Sequence, residues 1–283
     1  MFAHRLSRFA IPALAAAVLL TAAPGPDSFR FALLGDRTGE SVEGVYAKVW
    51  QEMASANPAF VVSVGDTIQG LDDTTADAQW QEIEQLFLKW RRFPLYLAAG
   101  NHDIWSAQSE QLFRKYSGHA PHYGFDYGLA HFSVLDNSRS DELSAAELAF
   151  LDSDLKQHEK QPLKVIVSHR PSWVIKAVIG DPDFELHRIA RKYGAKYVIA
   201  GHVHEMLHAD LDGITYISLP SAGGHLRGNG KYEDGWFFGY TIVDVDGNTA
   251  AFRINELHEP YGKGRNTTLN DWGKAGLLQP QAR

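Results

Sequence analysis

Apolar positions along the chain switch repeatedly between two periods. "FRFALL" at residues 29–34 is nearly unbroken and ends in Gly-Asp, the pattern of a strand buried on both faces. Val42, Val45, Tyr46, Val49, Trp50 and Met53 then recur at helical spacing, so residues 42–56 are expected to form an amphipathic helix that stops at Asn57-Pro58. "AFVVSVGD" is a second buried strand, and Trp80, Ile83, Leu86, Phe87 and Trp90 mark a second helix. "FPLYLAAGNHD" is a third strand. A β-α-β-α-β run of this kind predicts parallel strands with helical crossovers.

The middle changes period. "HYGFDYGLAHFSVLDN" reads as a hairpin turning near Gly128. "SAAELAFLDSDLKQ" opens a helix with a capping-box pair, Ser144 and Glu147. "PLKVIVSHRP", a helix near 183–193 and "AKYVIAGHVH" repeat the β-α-β logic. The remainder is strand-rich. "GITYISLPS" and "GWFFGYTIVDVDGNTAAFRINE" are strands, the latter with a hairpin at Asp246-Gly247, and Trp236, Phe237, Phe238 and Tyr240 are expected in the core. After Glu256 the chain turns polar, so 28–257 is read as one domain and 258–283 as a tail over the surface.

The chemistry lies where the strands stop. Five apolar runs end in Gly35-Asp36, Gly65-Asp66, Gly100-Asn101-His102-Asp103, Ser168-His169 and Gly201-His202-Val203-His204. Ligands of open α/β sheets gather at the carboxyl ends of strands. Two carboxylates, an amide and three imidazoles gathered there would desolvate and repel one another, and a divalent cation offsets that cost. Taken alone, a Gly-Asp block reads first as a turn or helix cap, a lone His as structurally satisfied, and His-x-His as either; the ordered set of five points to metal.

Composition sharpens this. The chain has 283 residues, thirteen His and no Cys, so any metal site uses imidazole, carboxylate and amide oxygen. That donor set suits catalytic Mn, Fe or Zn rather than a structural Cys-zinc. The formal net charge of −7 argues against a nucleic-acid partner or a nuclease, both of which reward a basic surface. Arg5 and Arg8 precede an uncharged run from Phe9 to Ala23, followed by Pro24-Gly25-Pro26, the three-part layout of a secretory signal peptide over residues 1–23. The expected protein is exported, periplasmic or extracellular, without a stable membrane anchor. Asn266-Thr267-Thr268 is a glycosylation acceptor only in a eukaryotic secretory context.

The order Gly-Asp, Gly-Asp, Gly-Asn-His-Asp, His, Gly-His-x-His resembles that of the calcineurin-like metallophosphoesterases, over roughly residues 29–245. The resemblance implies an α/β fold built as a two-sheet β-sandwich flanked by helices, with two divalent metal ions at the strand ends. It implies that Asp66 bridges both ions. Asn101, His169 and His202 complete the second site, and Asp36 and His204 belong to the first. His102 resembles the family's non-ligand histidine that assists the leaving group, with Asp103 orienting it. The reaction implied is hydrolysis of a small phosphomonoester or phosphodiester by a metal-bridging hydroxide, with ions about 3.5–4 Å apart.

Two positions depart from the family pattern. Thr38 stands where a histidine ligand is usual, and Gln69 stands where one branch carries tyrosine. The first site is therefore expected to bind its ion more weakly than the second. Retention without turnover, as a phospho-ligand-binding protein, is the competing reading that Thr38 favours. Arg37 is a candidate phosphate contact or an exposed partner of Glu40 or Glu43. The Gly-rich "SAGGHLRGNGKYEDGW" either closes over the site, with His225 and Arg227 touching substrate, or is an ordinary loop. His119, His122 and His131 are read as wall residues rather than ligands.

Overall fold

A computed structural model describes residues 26–90 and 92–272. The signal peptide expected over 1–23 and the end of the tail lie outside the described residues. Strand β1 (Ser28–Leu34) leads to helix α1 (Val45–Ser55), β2 (Val61–Ser63), α2 (Ala76–Trp90) and β3 (Leu95–Leu97). Helix α3 (Ala107–Ser117) precedes the hairpin β4 (Tyr123–Tyr127) and β5 (Ala130–Val134). Next come α4 (Ala145–Gln157), β6 (Leu163–Val167), α5 (Val174–Ile179), α6 (Glu185–Tyr193) and β7 (Tyr197–Ala200). The chain ends with β8 (Leu207–Leu211), β9 (Ile214–Ser218), β10 (Gly239–Asp246), β11 (Thr249–Glu256) and β12 (Asn266–Thr268). Among the described residues, no helix is long and apolar enough to cross a membrane.

The strands form two six-stranded sheets, ordered β12-β11-β10-β1-β2-β3 and β4-β5-β6-β7-β9-β8. β1, β2 and β3 run parallel, as do β5, β6, β7 and β9. Alternation along each strand feeds two layers at once. Phe31 and Leu33 of β1 point into the layer between the sheets, while Ala32 and Leu34 meet α1 and α2 on the outer face. Leu151, Leu155, Ile189 and Ala190 cover the outer face of the second sheet. The result is a four-layer helix-sheet-sheet-helix stack, the sandwich that the resemblance implied. Its inner layer centres on Phe31, Phe60 and Phe132, with ring centroids 5.1–5.4 Å apart. Fully burying one such ring contributes roughly 1.5–3 kcal/mol.

Some expectations change in detail. Ser144 caps α4 by accepting from the Glu147 amide at 3.2 Å. The Glu147 carboxylate does not return to the cap as the box requires. It accepts from the Asp136 amide at 2.9 Å and faces His122 Nδ1 at 2.6 Å, because burial beside that loop offers it a closer donor. The polar segment after 257 adds β12 to the edge of the first sheet, pairing with β11, and Trp272 stacks on Phe237.

His131 is fully buried in β5. One ring nitrogen faces Asp126 at 2.8 Å and the other faces Asp154 at 2.9 Å. Its ring lies parallel to that of His158 with centroids 3.7 Å apart. Stacked rings cannot aim their in-plane lone pairs at one ion, so this cluster is an ion pair and not a metal site. Burial opposes the charge, but the two carboxylates raise the His131 pKa above its ordinary value. The stability this contributes is fully present below the unfolded-state value of about 6.5 and is lost as pH rises through the folded-state value. Urea midpoints should therefore fall between about pH 6.5 and higher pH. His131→Gln should flatten that slope; an unchanged slope would remove His131 as its source.

Candidate metal centre

The five strand-end blocks converge on one edge of the sandwich. Asp36, Asp66 and Asn101 follow β1, β2 and β3 of the first sheet; His169, His202 and His204 follow β6 and β7 of the second. The glycines before them serve close approach more than turning. A Cβ on Gly100 would stand 2.2 Å from Asp66 Oδ1, and one on Gly201 would stand 2.3 Å from Asp36 Oδ1. Three of the candidate ligands, Asp66, His202 and His204, have positive φ (54°, 69° and 61°). Non-glycine residues held there cost about 1–3 kcal/mol each, and such strain clusters at functional sites.

Hydrogen bonds fix which atoms face the centre. His169 Nδ1 donates to the Val64 carbonyl at 2.9 Å, which turns Nε2 inward. That Nε2 lies 3.1 Å from Asn101 Oδ1, 3.1 Å from His202 Nδ1 and 3.4 Å from Asp66 Oδ1. Ligands held about 2.0–2.2 Å from one ion stand about 2.9–3.6 Å from each other in octahedral to tetrahedral geometry. The three distances from His169 Nε2 are those expected between ligands of one ion, and the ligand atoms of Asp66, His169 and His202 all lie within 4.8 Å of one another.

Beside them, His204 Nδ1 donates to the His225 carbonyl at 2.8 Å, turning its Nε2 inward to 3.4 Å from Asp36 Oδ2. Both His204 Nε2 and the outer Asp66 oxygen, Oδ2, are buried without a hydrogen-bond partner. Orphaned buried lone pairs are rare unless an ion or water meets them. The donor set of imidazole, carboxylate and amide oxygen fits divalent metal.

The charges are strongly coupled. Burial alone would raise the Asp66 pKa, yet the His169 imidazole beside it holds the carboxyl well below the usual range. Burial opposes protonation of His169, but the Asp66 carboxylate raises its pKa to about 9. Burial, reinforced by the neighbouring His169 charge, pushes His202 down to about 4. Asp103 is pushed up to about 7 by burial and then by the Asp66 charge. A site this anionic and this dry favours a cation.

Asp103 corrects an expectation. It does not touch the His102 ring. Its Oδ1 accepts from the Thr67 and Ile68 amides at 2.8 and 3.2 Å, and its Oδ2 accepts from the Gly100 amide at 2.9 Å. A carboxylate seated in the Gly100–Asp103 turn satisfies these buried donors better than a ring at the surface would. The His102 ring is held instead by its Nδ1, which donates to the Gln69 carbonyl at 2.5 Å.

Thr38 is fully buried, and its hydroxyl donates to the Gln69 side-chain oxygen. The two departures from the family pattern therefore satisfy each other. Arg37 meets neither Glu40 nor Glu43. Its guanidinium donates to the Thr67 carbonyl at 3.2 Å, lies 3.6 Å from Glu82, and sits over the Tyr46 ring.

His225 is drawn to the neighbouring loop, with Nδ1 donating to the Gly39 carbonyl at 2.7 Å. The Arg227 guanidinium lies beside His204 and Gly39; burial opposes protonation of His204, but the Asp36 carboxylate outweighs it and raises the pKa, against a smaller opposing charge from Arg227. No side-chain partner holds Arg227 among the described residues. His119, His122 and His131 stand apart from the centre and engage Tyr123, Glu147 and Asp126 respectively.

Sequence reasoning missed Asn137 after β5. Its Oδ1 accepts from the His169 and Arg170 amides at 3.1 and 3.0 Å, and its amide donates to the Arg170 carbonyl at 2.8 Å. The signal was a sixth strand end, "SVLDN", carrying the same kind of polar pair as the other five.

Known proteins resemble this chain. A 3',5'-cyclic-nucleotide phosphodiesterase of Nostoc sp. is 27% identical over 160 residues, covering 53% of this chain and 58% of that protein. The chain thus spans little more than half of the relative's length. The purple acid phosphatase PPD1 of yellow lupin (Lupinus luteus) superposes with a TM-score of 0.62 at 14% identity, over 85% of this chain and 53% of that one. A dimetal phosphatase of Danio rerio superposes at 0.56 and 14% identity, over 87% of this chain and 99% of that one. These likenesses show the fold. Residues 29–206, more than half of the sequence, match the family model described as calcineurin-like phosphoesterase, and the chain belongs to that family.

Proposed function

We propose that the protein is an exported metal-dependent hydrolase of small phosphomonoesters or phosphodiesters that works with two divalent ions, Mn, Fe or Zn. The observation that carries this is the convergence of His169 Nε2, Asn101 Oδ1, His202 Nδ1 and Asp66 Oδ1 within 3.1–3.4 Å of His169 Nε2, beside two orphaned buried lone pairs. Bound metal would supply Lewis acidity toward phosphoryl oxygen and a water of lowered pKa. Asp66 would be shared between the ions, with Asn101, His169 and His202 on one side and Asp36 and His204 on the other.

The remaining steps fall to the chain. Arg227, free of an acidic partner, neutralises phosphate charge next to His204. His102, with Nδ1–H committed to Gln69, presents Nε2 to the departing oxygen and gives it a proton from that nitrogen when the ring is an imidazolium, returning to the Nδ1–H tautomer. Arg37 acts more weakly on substrate, because Thr67, Glu82 and Tyr46 already hold it. His225 acts through its carbonyl by orienting His204, and Asp103 acts by holding the Asp66 and Gly100 turns in place.

Chelator-stripped protein reloaded with Mn, Fe or Zn should hydrolyse generic phosphate esters. 3',5'-Cyclic nucleotides belong in that panel because of the Nostoc relative's name. Absence of turnover with every metal, despite binding of phosphate, would replace this reading with a non-hydrolytic phospho-ligand-binding role.

The Thr38–Gln69 pair leaves the first site with Asp36, Asp66 and His204 as its strong donors, so its ion should leave first on dialysis. Thr38→His should retain that ion roughly tenfold more strongly, read as metal per chain after graded chelation. Unchanged retention in a folded variant would show that position 38 is not a ligand slot.

A further inference from the structure

The centre does not end at its ligands. His202 is also part of the wall of a cleft of about 500 Å³ that runs outward between the loop after β5, helix α5 and the start of α6. This volume falls within the range of about 300–1,000 Å³ common for small-molecule sites. Beyond His202 the cleft is mostly apolar: Leu143, Leu148, Val174, Ile175, Phe184 and Leu186 contribute to it. Ile175 is 63% exposed there, an apolar surface left open to water on a six-residue helix.

Charge narrows what fits. The two basic residues of the cleft are already engaged. The Arg170 guanidinium pairs with Asp141, and Lys176 lies 3.0 Å from Asp181 and donates to the Asp183 carbonyl. Glu142 and Glu185 add negative charge at the rim. A second phosphate would find no free cation, whereas an uncharged apolar group would cover Ile175 and its neighbours.

We propose that this cleft binds the organic part of the substrate, and that this part is an uncharged, predominantly apolar group the size of a nucleoside, an aryl ring system or a medium alkyl chain. The proposal rests on the phosphoesterase reading of the adjoining centre. The enzyme then selects single-phosphate esters of hydrophobic or aromatic alcohols over esters of small polar or multiply charged ones.

The test is calorimetric affinity of Mn-reconstituted protein for methylphosphonate, octylphosphonate and (2-naphthyl)methylphosphonate. At least one apolar phosphonate should bind about tenfold or more tightly than methylphosphonate. Whether octyl or naphthyl gains more distinguishes a chain from a ring as the natural occupant. Ile175→Glu and Ser172→Trp, at the wall of the cleft, should abolish the gain while leaving methylphosphonate affinity unchanged. Equal affinity for all three probes, or none for any, overturns the proposal. So does an equal loss of all three in both variants. Release of p-nitrophenol from methyl p-nitrophenyl phosphate, measured on the same samples, tests the hydrolase reading separately.

Discussion

Asp66→Ala should lower phosphoester hydrolysis by about 10³-fold or more and leave the protein holding less than half its metal. Both Asp66 oxygens are buried at the centre: Oδ1 lies 3.4 Å from His169 Nε2, and Oδ2 has no hydrogen-bond partner. On the two-ion reading proposed above, removing it would deprive both ions of a charged ligand. Metal contributes several kcal/mol of transition-state stabilisation, and each 1.36 kcal/mol is about tenfold in rate. The variant removes a desolvated charge, but Ala holds φ 54° no more easily than Asp and the His102 amide loses its acceptor, Asp66 Oδ1, so the apoprotein should be moderately less stable than wild type. Activity and metal content measured side by side separate the two effects. Full metal content with full loss of rate would move Asp66 from ligand to some other role, and unchanged rate would end the hydrolase reading.

The second large effect is on stability. Asp103→Ala should destabilise the protein by about 3–6 kcal/mol and remove activity with it, although Asp103 touches no candidate metal ligand through its side chain. The amides of Thr67, Ile68 and Gly100 all donate to this one fully buried carboxylate. Each buried donor left unpaired costs about 1–3 kcal/mol. Whole domains of this kind are stable by only about 5–15 kcal/mol, so the loss takes up a large share. Asp103→Asn keeps one acceptor oxygen and should lie between the two, with a matching order in urea midpoints. Wild-type stability in Asp103→Ala would show that water replaces the carboxylate and that the turns are held by other contacts.

These two residues also mark how far the sequence could be read. Asp66 was legible because a buried apolar run, a glycine and a carboxylate occur together, and four further apolar runs also end in a carboxylate, amide or imidazole behind a glycine or serine. Asp103 was legible as part of the site but not in its role. Its partners are backbone amides, which no side-chain pattern announces, and so it was expected at the His102 ring that Gln69 actually holds. Asn137 escaped for the same reason, since it holds backbone amides, and Gln69 was legible as a departure but not as the carbonyl that holds His102.

The elements divide similarly. β1, β2, β6 and β7 are buried on both faces and read directly from their apolar runs. β8 carries His208 and Asp210 among its apolar residues, β12 is wholly polar, and α5 is an apolar run too short for its period to be told. α5 forms part of the cleft next to His202, so the least legible helix borders the most consequential surface.

The origin of the ligands has a further consequence. Asp36, Asp66 and Asn101 come from one sheet, and His169, His202 and His204 come from the other. An ion held among them is a rivet through the seam of the sandwich. Whatever binds only the folded form stabilises it, by about 4 kcal/mol at a thousandfold excess over its dissociation constant. The fraction of chains that survive proteolysis would then follow the free-ion level of the surroundings. Scarcity would lower the number of molecules as well as the rate of each, making the amount of this protein a record of metal supply.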